Sequence, residues 1–408
     1  MSPFLGILSF GATLYFCSVT FENSKMKVFL PVFLSFLLIA PALRAQTDTL
    51  SADSPISFEA SYLGDAVSNF SGGIRRGGAY LGMANLKLLF STEKASLWRG
   101  GLFFVNGANT HGGTPSVHLF GDFQVISNIE AGDHTYVHEL WYRQELGSVA
   151  LIVGLQDLNA EFVTSEYASL LINSSFGVHS TIADNIPSPI FPQTALGAQL
   201  QYSFSEMVSA KLALFDGLPE DLDSHPHNLE WKLNSHDGLL WVSEFAFSDL
   251  WKSVLFSEFK VGAYFHSHKE PAVSEEMASP VRHENWGIYL LADQMLYSGS
   301  RNNTLSAFLQ ASVSSESKNR NWYYLGAGLN YKGWLPSRLN DEWGLAVAHA
   351  GIRHHASGSE TTLELTYKAY LCNNLFVQPD IQYVIQPAGT ERVLPNVLAG
   401  ILRIGFNF

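Results

Sequence analysis

The chain is predicted to fold as a single transmembrane antiparallel β-barrel, an all-β architecture with one loop folded inward. Three observations carry this reading. First, the final stretch, Val397 to Phe408, alternates: Leu398, Leu402, Ile404, Phe406 and Phe408 fall on one strand face, and Arg403, Gly405 and Asn407 on the other. Gly400 interrupts the apolar face. Second, the chain is 47% hydrophobic, yet beyond residue 45 that content is cut into short alternating runs. None approaches the ~20 apolar residues of a spanning helix. Third, the polar face of run after run carries Glu, Lys, Arg, Gln or Asp at mid-strand. A sealed soluble core would not tolerate so many interior charges, whereas a water-filled lumen would. A sheet edge cannot stand open in hydrocarbon, so such a sheet must close. A last strand ending on Phe408 suits closure against the first. An ordinary final strand of a soluble sheet is the competing reading of this segment, and the rest of the chain decides against it.

The leader comes first in the chain. Met26-Lys27 opens a second plausible start, Val28 to Ala40 is an uncharged apolar core, and Pro41 to Ala45 ends it on a small residue. This is the layout of a secretory signal peptide over residues 26–45, with cleavage after Ala45 and Gln46 as the mature start. Residues 1–25 lie upstream and read as a mis-called start, with a longer leader as the alternative. Residues 46–408 then form the barrel domain. Cleavage removes Lys25, Lys27, Arg44 and Glu22, which takes the formal net charge from −13 to −15. Such an acidic chain is no partner for nucleic acid, whose phosphates require a basic surface. Cys372 alone survives in the mature chain, so no intramolecular disulfide is available. Charged residues make up 15% of the chain, below the usual quarter or so, and aromatics 13%.

Strands of roughly 9–11 residues, the barrel length, follow one another. From Tyr80 to Phe90, Leu86, Leu88 and Phe90 alternate with Asn85, Lys87 and Leu89. From Leu119 to Glu130, Phe123, Val125 and Ile129 oppose Asp122, Gln124, Asn128 and Glu130, which reads as a strand. From His138 to Leu146, Leu140, Tyr142 and Leu146 oppose Glu139, Trp141, Arg143 and Glu145. Gly147-Ser148 then gives a tight periplasmic turn into Val149 to Gln156. The pattern returns at 196–204, 258–265, 363–371 and 375–386. Pro379 sits in the last of these and predicts a bulge, because proline cannot donate to a ladder. Two stretches break the rhythm. Asn159 to Pro192 is too long for a hairpin loop, and its first half suits one or two short helices. Leu218 to Asp237 is polar and reads as an external loop.

From Tyr62 to Pro219 the sequence resembles the carbohydrate-selective porin family, the OprB-like outer-membrane porins. Gly72-Gly73 with Arg76-Gly77, Trp98-Arg99-Gly100-Gly101, Asn109-Thr110-His111-Gly112 and Gly121 to Val125 begin the resemblance. Ser127 to Glu130, Glu139 to Tyr142, Asp157-Leu158-Asn159, Asn173 to Gly177, Thr194 to Ala198 and Asp216-Gly217 continue it. Tyr289 to Gln294 and Gln378 to Val384 extend it toward the C-terminus. Each piece alone is weak, and their order over nearly the whole mature chain is the signal. The resemblance implies a 16-stranded barrel, loops folded into the lumen, and passive diffusion of mono- or oligosaccharides. The resemblance implies basic residues along the sugar path, and the acidity of this chain leaves the location of any such stripe open.

A porin needs no catalysis and no cofactor, so the candidate residues are those lining the narrowest point. Sugars are held by charged or amide groups on their hydroxyls and aromatic faces on their C–H side. Trp141, flanked by Glu139, Arg143 and Glu145, supplies both. Lys87, Asn109, Asp122, Gln124 and Gln156 are further candidates placed by alternation, and a register slip of one residue would turn any of them to lipid. Asp157, Glu161 and Glu166 lie at or within the long loop. For each of these the plain alternative is a wall or loop charge that only pairs or hydrates. The pairs His225/His227, His266/His268 and His354/His355 read as solvated histidines rather than metal ligands, since a metal site needs further ligands. Expected partners besides sugars are outer-membrane lipid and, through the C-terminal strand, the barrel-assembly machinery. The oligomeric state reads as monomer or homotrimer. A barrel enzyme of the lipid-hydrolase kind and a structural or adhesin barrel with a plugged lumen are the alternatives. Neither has a motif in its favour.

Overall fold

A computed structural model describes residues 54–408 except 235–236, 250–254, 271–280, 300–302 and 354. The leader, its cleavage site and His354 lie outside the described residues. Sixteen strands follow in order: β1 (Ile56–Ser71), β2 (Gly77–Ser91), β3 (Gly101–Gly112), β4 (His134–Leu146), β5 (Val149–Gln156), β6 (Ala195–Ser203), β7 (Val208–Asp216) and β8 (Leu239–Ser248). The second half runs β9 (Ser257–Glu270), β10 (Val281–Ser298), β11 (Thr304–Ser314), β12 (Asn321–Lys332), β13 (Glu342–Ile352), β14 (Ser359–Cys372), β15 (Leu375–Ile385) and β16 (Val397–Asn407). Each strand pairs with its neighbours in sequence, and β1 pairs antiparallel with β16 to close the barrel. The alternation sets the two faces. On β14 and β15, Leu363, Leu365 and Ile381 are exposed outward while Glu360, Glu364, Asp380 and Gln382 are buried inward.

Connections at one end are short, as at 147–148 and 373–374. At the other end run the long segments 113–133, 157–194 and 217–238. Short turns mark the periplasmic end and long loops the extracellular end. The last strand behaves as its pattern requires. Leu398 and Leu402 are exposed, Arg403 is buried, and Tyr62 of β1 lies opposite Phe406. Two backbone hydrogen bonds finish the seam: Phe408 N–H donates to the Ala60 carbonyl at 2.7 Å, and Ala60 N–H to the Phe408 carbonyl at 3.1 Å.

Three expectations are corrected. Residues 119–130 are not a strand. A short π-helical turn over Ser116–Phe120 leads into irregular chain that lies inside the barrel. Pro379 makes no bulge: its register with Leu402 is regular, and the β14–β15 ladder skips the pairs beside it without a shift. The number of inward loops is larger than the fold-class expectation of one, in line with the loops that the resemblance implied. The segments 113–133 and 157–194 both enter the lumen and pack on the inner wall.

Removing Phe406 to Phe408 deletes the Tyr62 pairing and both terminal hydrogen bonds, leaving β1 with an open edge that lipid cannot satisfy. We expect this truncation to block insertion. Heat-modifiable migration of folded barrel at wild-type abundance would count against it.

Candidate functional site

The inner wall is organised by carboxylates that accept backbone N–H groups from the inward segments. Glu360 accepts Phe123 N–H at 2.7 Å, Gln124 N–H at 2.8 Å and Ala388 N–H at 2.8 Å. Glu364 accepts Ile172 N–H at 2.6 Å and Asn173 N–H at 3.0 Å. Asp293 accepts the Ser165 hydroxyl at 2.6 Å and Glu166 N–H at 2.8 Å. Glu244 accepts Val163 N–H at 3.1 Å and the Tyr289 hydroxyl at 2.9 Å. Wall amides and ammonium groups serve the loop carbonyls in the same way. Gln382 donates to Ile126, Gln378 to Leu170, Gln310 to Phe176 and Lys260 to Thr164.

Apolar contacts complete the attachment. Leu119, Phe120, Ile126 and Ile129 pack on inward Val67, Val384, Val397 and Ile401. Leu158, Phe162 and Val163 pack on Phe215, Leu240 and Val242, and Leu171 and Phe176 pack near Phe308 and Tyr324. The two inward segments are also bonded to each other. Ser174 N–H donates to the Val125 carbonyl at 3.0 Å and Asn128 N–H to the Ile172 carbonyl at 2.8 Å. Val125 and Val163 hold φ of 57° and 60°. That left-handed conformation is strained for a β-branched residue and persists only where the surroundings fix it.

The structure brings several predicted residues together. Lys87, Glu139, Trp141, Arg143 and Glu145 all face inward, with Leu102, Phe104 and Asn106 between them on β3. Trp141 stacks on Phe104, ring centroids 4.7 Å apart and planes at 25°, and its indole N–H donates to Glu139 at 3.2 Å. Arg143 pairs with Glu145 at 3.1 Å toward the periplasmic end of β4. Glu161 of the inward segment accepts from Lys211 at 2.8 Å and from Gln201 at 3.0 Å. Glu166 is exposed in the lumen, and partial burial, with the carboxylates of Asp293 and Glu258 nearby, raises its pKa. Gln156 is buried and donates to the Gly197 carbonyl at 2.9 Å, and Asp157 caps Asn159 and pairs with His138 at 3.3 Å. These two hold the root of the 157–194 segment.

Other predicted residues fall elsewhere. Asp122 and Gln124 sit buried in the inward 113–133 segment, not on a strand. Burial pushes Asp122 up to about 6, and burial with the Asp122 charge pushes Glu130 up to about 8. Asn109 belongs to the outward row of β3 and donates to Thr135 at 2.7 Å beside His111, because the inward row is Asn106, Ala108 and Thr110. His225 pairs with Glu220, His227 meets the Thr135 carbonyl and His266 the Gly217 carbonyl. Among the described residues no group of three or more His, Cys, Asp or Glu is placed to hold a metal. Phe104 and the Asn85–Asn106 pair, hydrogen-bonded at 3.2 Å, were missed by sequence reasoning. The register of β2 against β3 and of β3 against β4 was needed to find them.

A closed sixteen-stranded barrel with charged and aromatic side chains facing a loop-narrowed lumen defines a porin-class channel of the bacterial outer membrane. Residues 75–408 match the model of the carbohydrate-selective porin, OprB family, and the chain belongs to that family. It is 21% identical to Porin B of Pseudomonas aeruginosa over 398 residues, covering 84% of this chain and 86% of that protein. The high-pH structure of Pseudomonas putida OprB superposes with a TM-score of 0.78 at 19% identity, covering 89% of this chain and 97% of that one. The low-pH structure of the same protein gives 0.56 at 16% identity, covering 87% and 93%. The protein is a sugar porin, and the lipid-hydrolase and plugged-barrel alternatives are not favoured.

Asp293→Ala removes both acceptors that hold Ser165 and Glu166. Stranding a buried N–H costs about 1–3 kcal/mol, so the thermal unfolding midpoint in detergent should fall and single-channel traces should become noisier. Asp293→Asn keeps an acceptor and should recover much of the loss. Wild-type noise and midpoint in the alanine variant would show that these bonds do not anchor the segment.

Proposed function

We propose that sugars pass between the inner wall of β2 to β4 and the start of the 157–194 segment, around Glu161 to Glu166. One observation carries this reading: the inward segments bond to or pack on the wall from β6 round through β16 to β1 and the start of β2, while Lys87, Trp141 and Arg143 stay half-exposed on the stretch between. Trp141, backed by Phe104, offers a flat face for a pyranose ring. Lys87 and Arg143 supply donors for hydroxyls. Glu161 and Glu166 supply acceptors from the loop side. Passage is passive diffusion, with no chemical step and no cofactor in this reading. Mono- or oligosaccharides are the solutes, and the barrel works as a monomer or homotrimer delivered by the assembly machinery.

Trp141→Ala should weaken block of ion current by sugar and leave conductance similar or higher, since it removes a contact and widens the lumen. Arg143→Ala should shift ion selectivity toward cations, because Glu145 then loses its partner. These residues share one face with Glu139. Turning such charges to the bilayer would cost on the order of 2–4 kcal/mol at the midplane. Planar-bilayer recording with a panel of sugars decides it, and unchanged block and selectivity in both variants would move the path elsewhere in the barrel.

The leader is part of the same proposal: synthesis starts at Met26 and the mature chain begins at or near Gln46. N-terminal sequencing of protein taken from outer membranes tests this. A mature chain retaining Phe29 to Leu38 would overturn it.

A further inference from the structure

On the outward wall between β12 and β15 lies a groove of about 660 Å³, lined by Tyr331, Trp334, Trp343, Tyr367, Pro379 and Ile381. Tyr331, Trp343 and Tyr367 stand side by side in register across three strands. The Tyr331 and Trp343 rings lie 6.1 Å apart and 4° from parallel, stacked along one side of the groove. The floor follows from Pro379. It has no N–H to give β14, the ladder skips its row, and its short ring leaves a hollow beside Tyr367.

The turn after β12 closes the periplasmic end. Asp341 accepts the Tyr367 hydroxyl at 2.6 Å and Tyr370 N–H at 3.1 Å, and it pairs with Arg338. Arg338 also donates through Nη2 to the Tyr370 carbonyl at 3.1 Å. Its Nη1 has no protein partner among the described residues, and its side chain is 37% exposed. Trp334, on the same turn, is 63% exposed.

We propose that this groove holds one acyl chain of a periplasmic-leaflet phospholipid, with the phosphate at Arg338. The groove is continuous with the lipid-facing belt, where Leu365 and Ile381 are 51% and 52% exposed. A hollow in that belt that no side chain fills forfeits dispersion contacts unless hydrocarbon enters it. Its apolar length points into the membrane, and its charged and hydroxyl end sits at the rim, where Trp and Tyr favour the headgroup level. A guanidinium N–H is a strong donor to phosphate. The occupant therefore matches a phospholipid in both halves.

Native mass spectrometry of the purified barrel, washed in detergent until boundary lipid is stripped, tests the site. The wild-type barrel should keep one phospholipid. Ile381→Trp, which fills the groove, and Arg338→Gln, which removes the phosphate donor, should each retain about tenfold less, with ion conductance unchanged. Heat-modifiable migration confirms that each variant is folded. A benzophenone side chain placed at Trp343 should cross-link to phospholipid in native outer membranes, which tests the groove without either variant. Retention of no lipid by the wild-type barrel, equal retention by the folded variants, or a cross-link to lipopolysaccharide or a second barrel would each overturn the proposal.

Discussion

Chain led through the inside of a barrel must find acceptors for its backbone N–H groups, and this constraint shapes the rest of the molecule. The 113–133 and 157–194 segments form only short turns, which satisfy part of their N–H groups within the segment and leave the rest to find acceptors outside it. The wall answers with carboxylates at Glu244, Asp293, Glu360 and Glu364, each meeting loop donors within hydrogen-bond distance. The exchange is reciprocal. A buried carboxylate is costly unless several donors replace its hydration, and Glu360 receives three N–H groups at once.

Strand closure and loop placement meet at one point. Arg403 of β16 donates to Asp65 of β1 at 2.7 Å and 2.8 Å, tying the last strand to the first. The same guanidinium donates to Asn128 at 2.8 Å, and Asp65 accepts the Ser127 hydroxyl at 2.7 Å. The Arg403–Asp65 and Ser127–Asp65 bonds are buried, so the seam and the 113–133 segment satisfy one another. Seating the two segments also joins them, because the Val125 carbonyl accepts Ser174 N–H. The strained φ of Val125 is held at that junction, where wall, segment and neighbouring segment all constrain it.

The strands were legible in the sequence because a lipid-facing row and a lumen-facing row impose a period of two. Glu139, Trp141, Arg143 and Glu145 could be placed on one face by that rule alone. Residues 119–130 show where the rule misleads. Phe123, Val125 and Ile129 alternate with polar residues, but Ile129 meets an interior of Val67, Val397 and Ile401, and Phe123 one of Ala350 and Ile352, rather than lipid. Alternation reports that a chain has two environments, not which two. Asn109 failed for a narrower reason: its neighbours Ala108 and Thr110 are the small inward residues, and a short polar side chain gives no sign of its face. The anchoring role of Glu360 and Glu364 could not be read at all, since their partners lie far away in sequence.

The acidity of the chain takes on a different meaning once the carboxylates are located. Many of the interior acids are committed to loop donors or to Arg403, and so do not line open water. Along the proposed path the charges come as neighbours of opposite sign: Lys211 with Glu161 at 2.8 Å, Lys260 with Glu258 at 2.8 Å, and Arg143 with Glu145 at 3.1 Å. Paired charges largely cancel beyond a few ångströms, and salt screens what remains within about 8–10 Å. The field a solute meets at the narrow part is therefore set by the local arrangement of these charges and not by the net charge. Such a surface keeps many directed donors and acceptors while attracting neither ion sign strongly. For neutral, hydroxyl-rich solutes that combination favours passage over retention, since each hydrogen bond made to the wall replaces one made to water at little net gain.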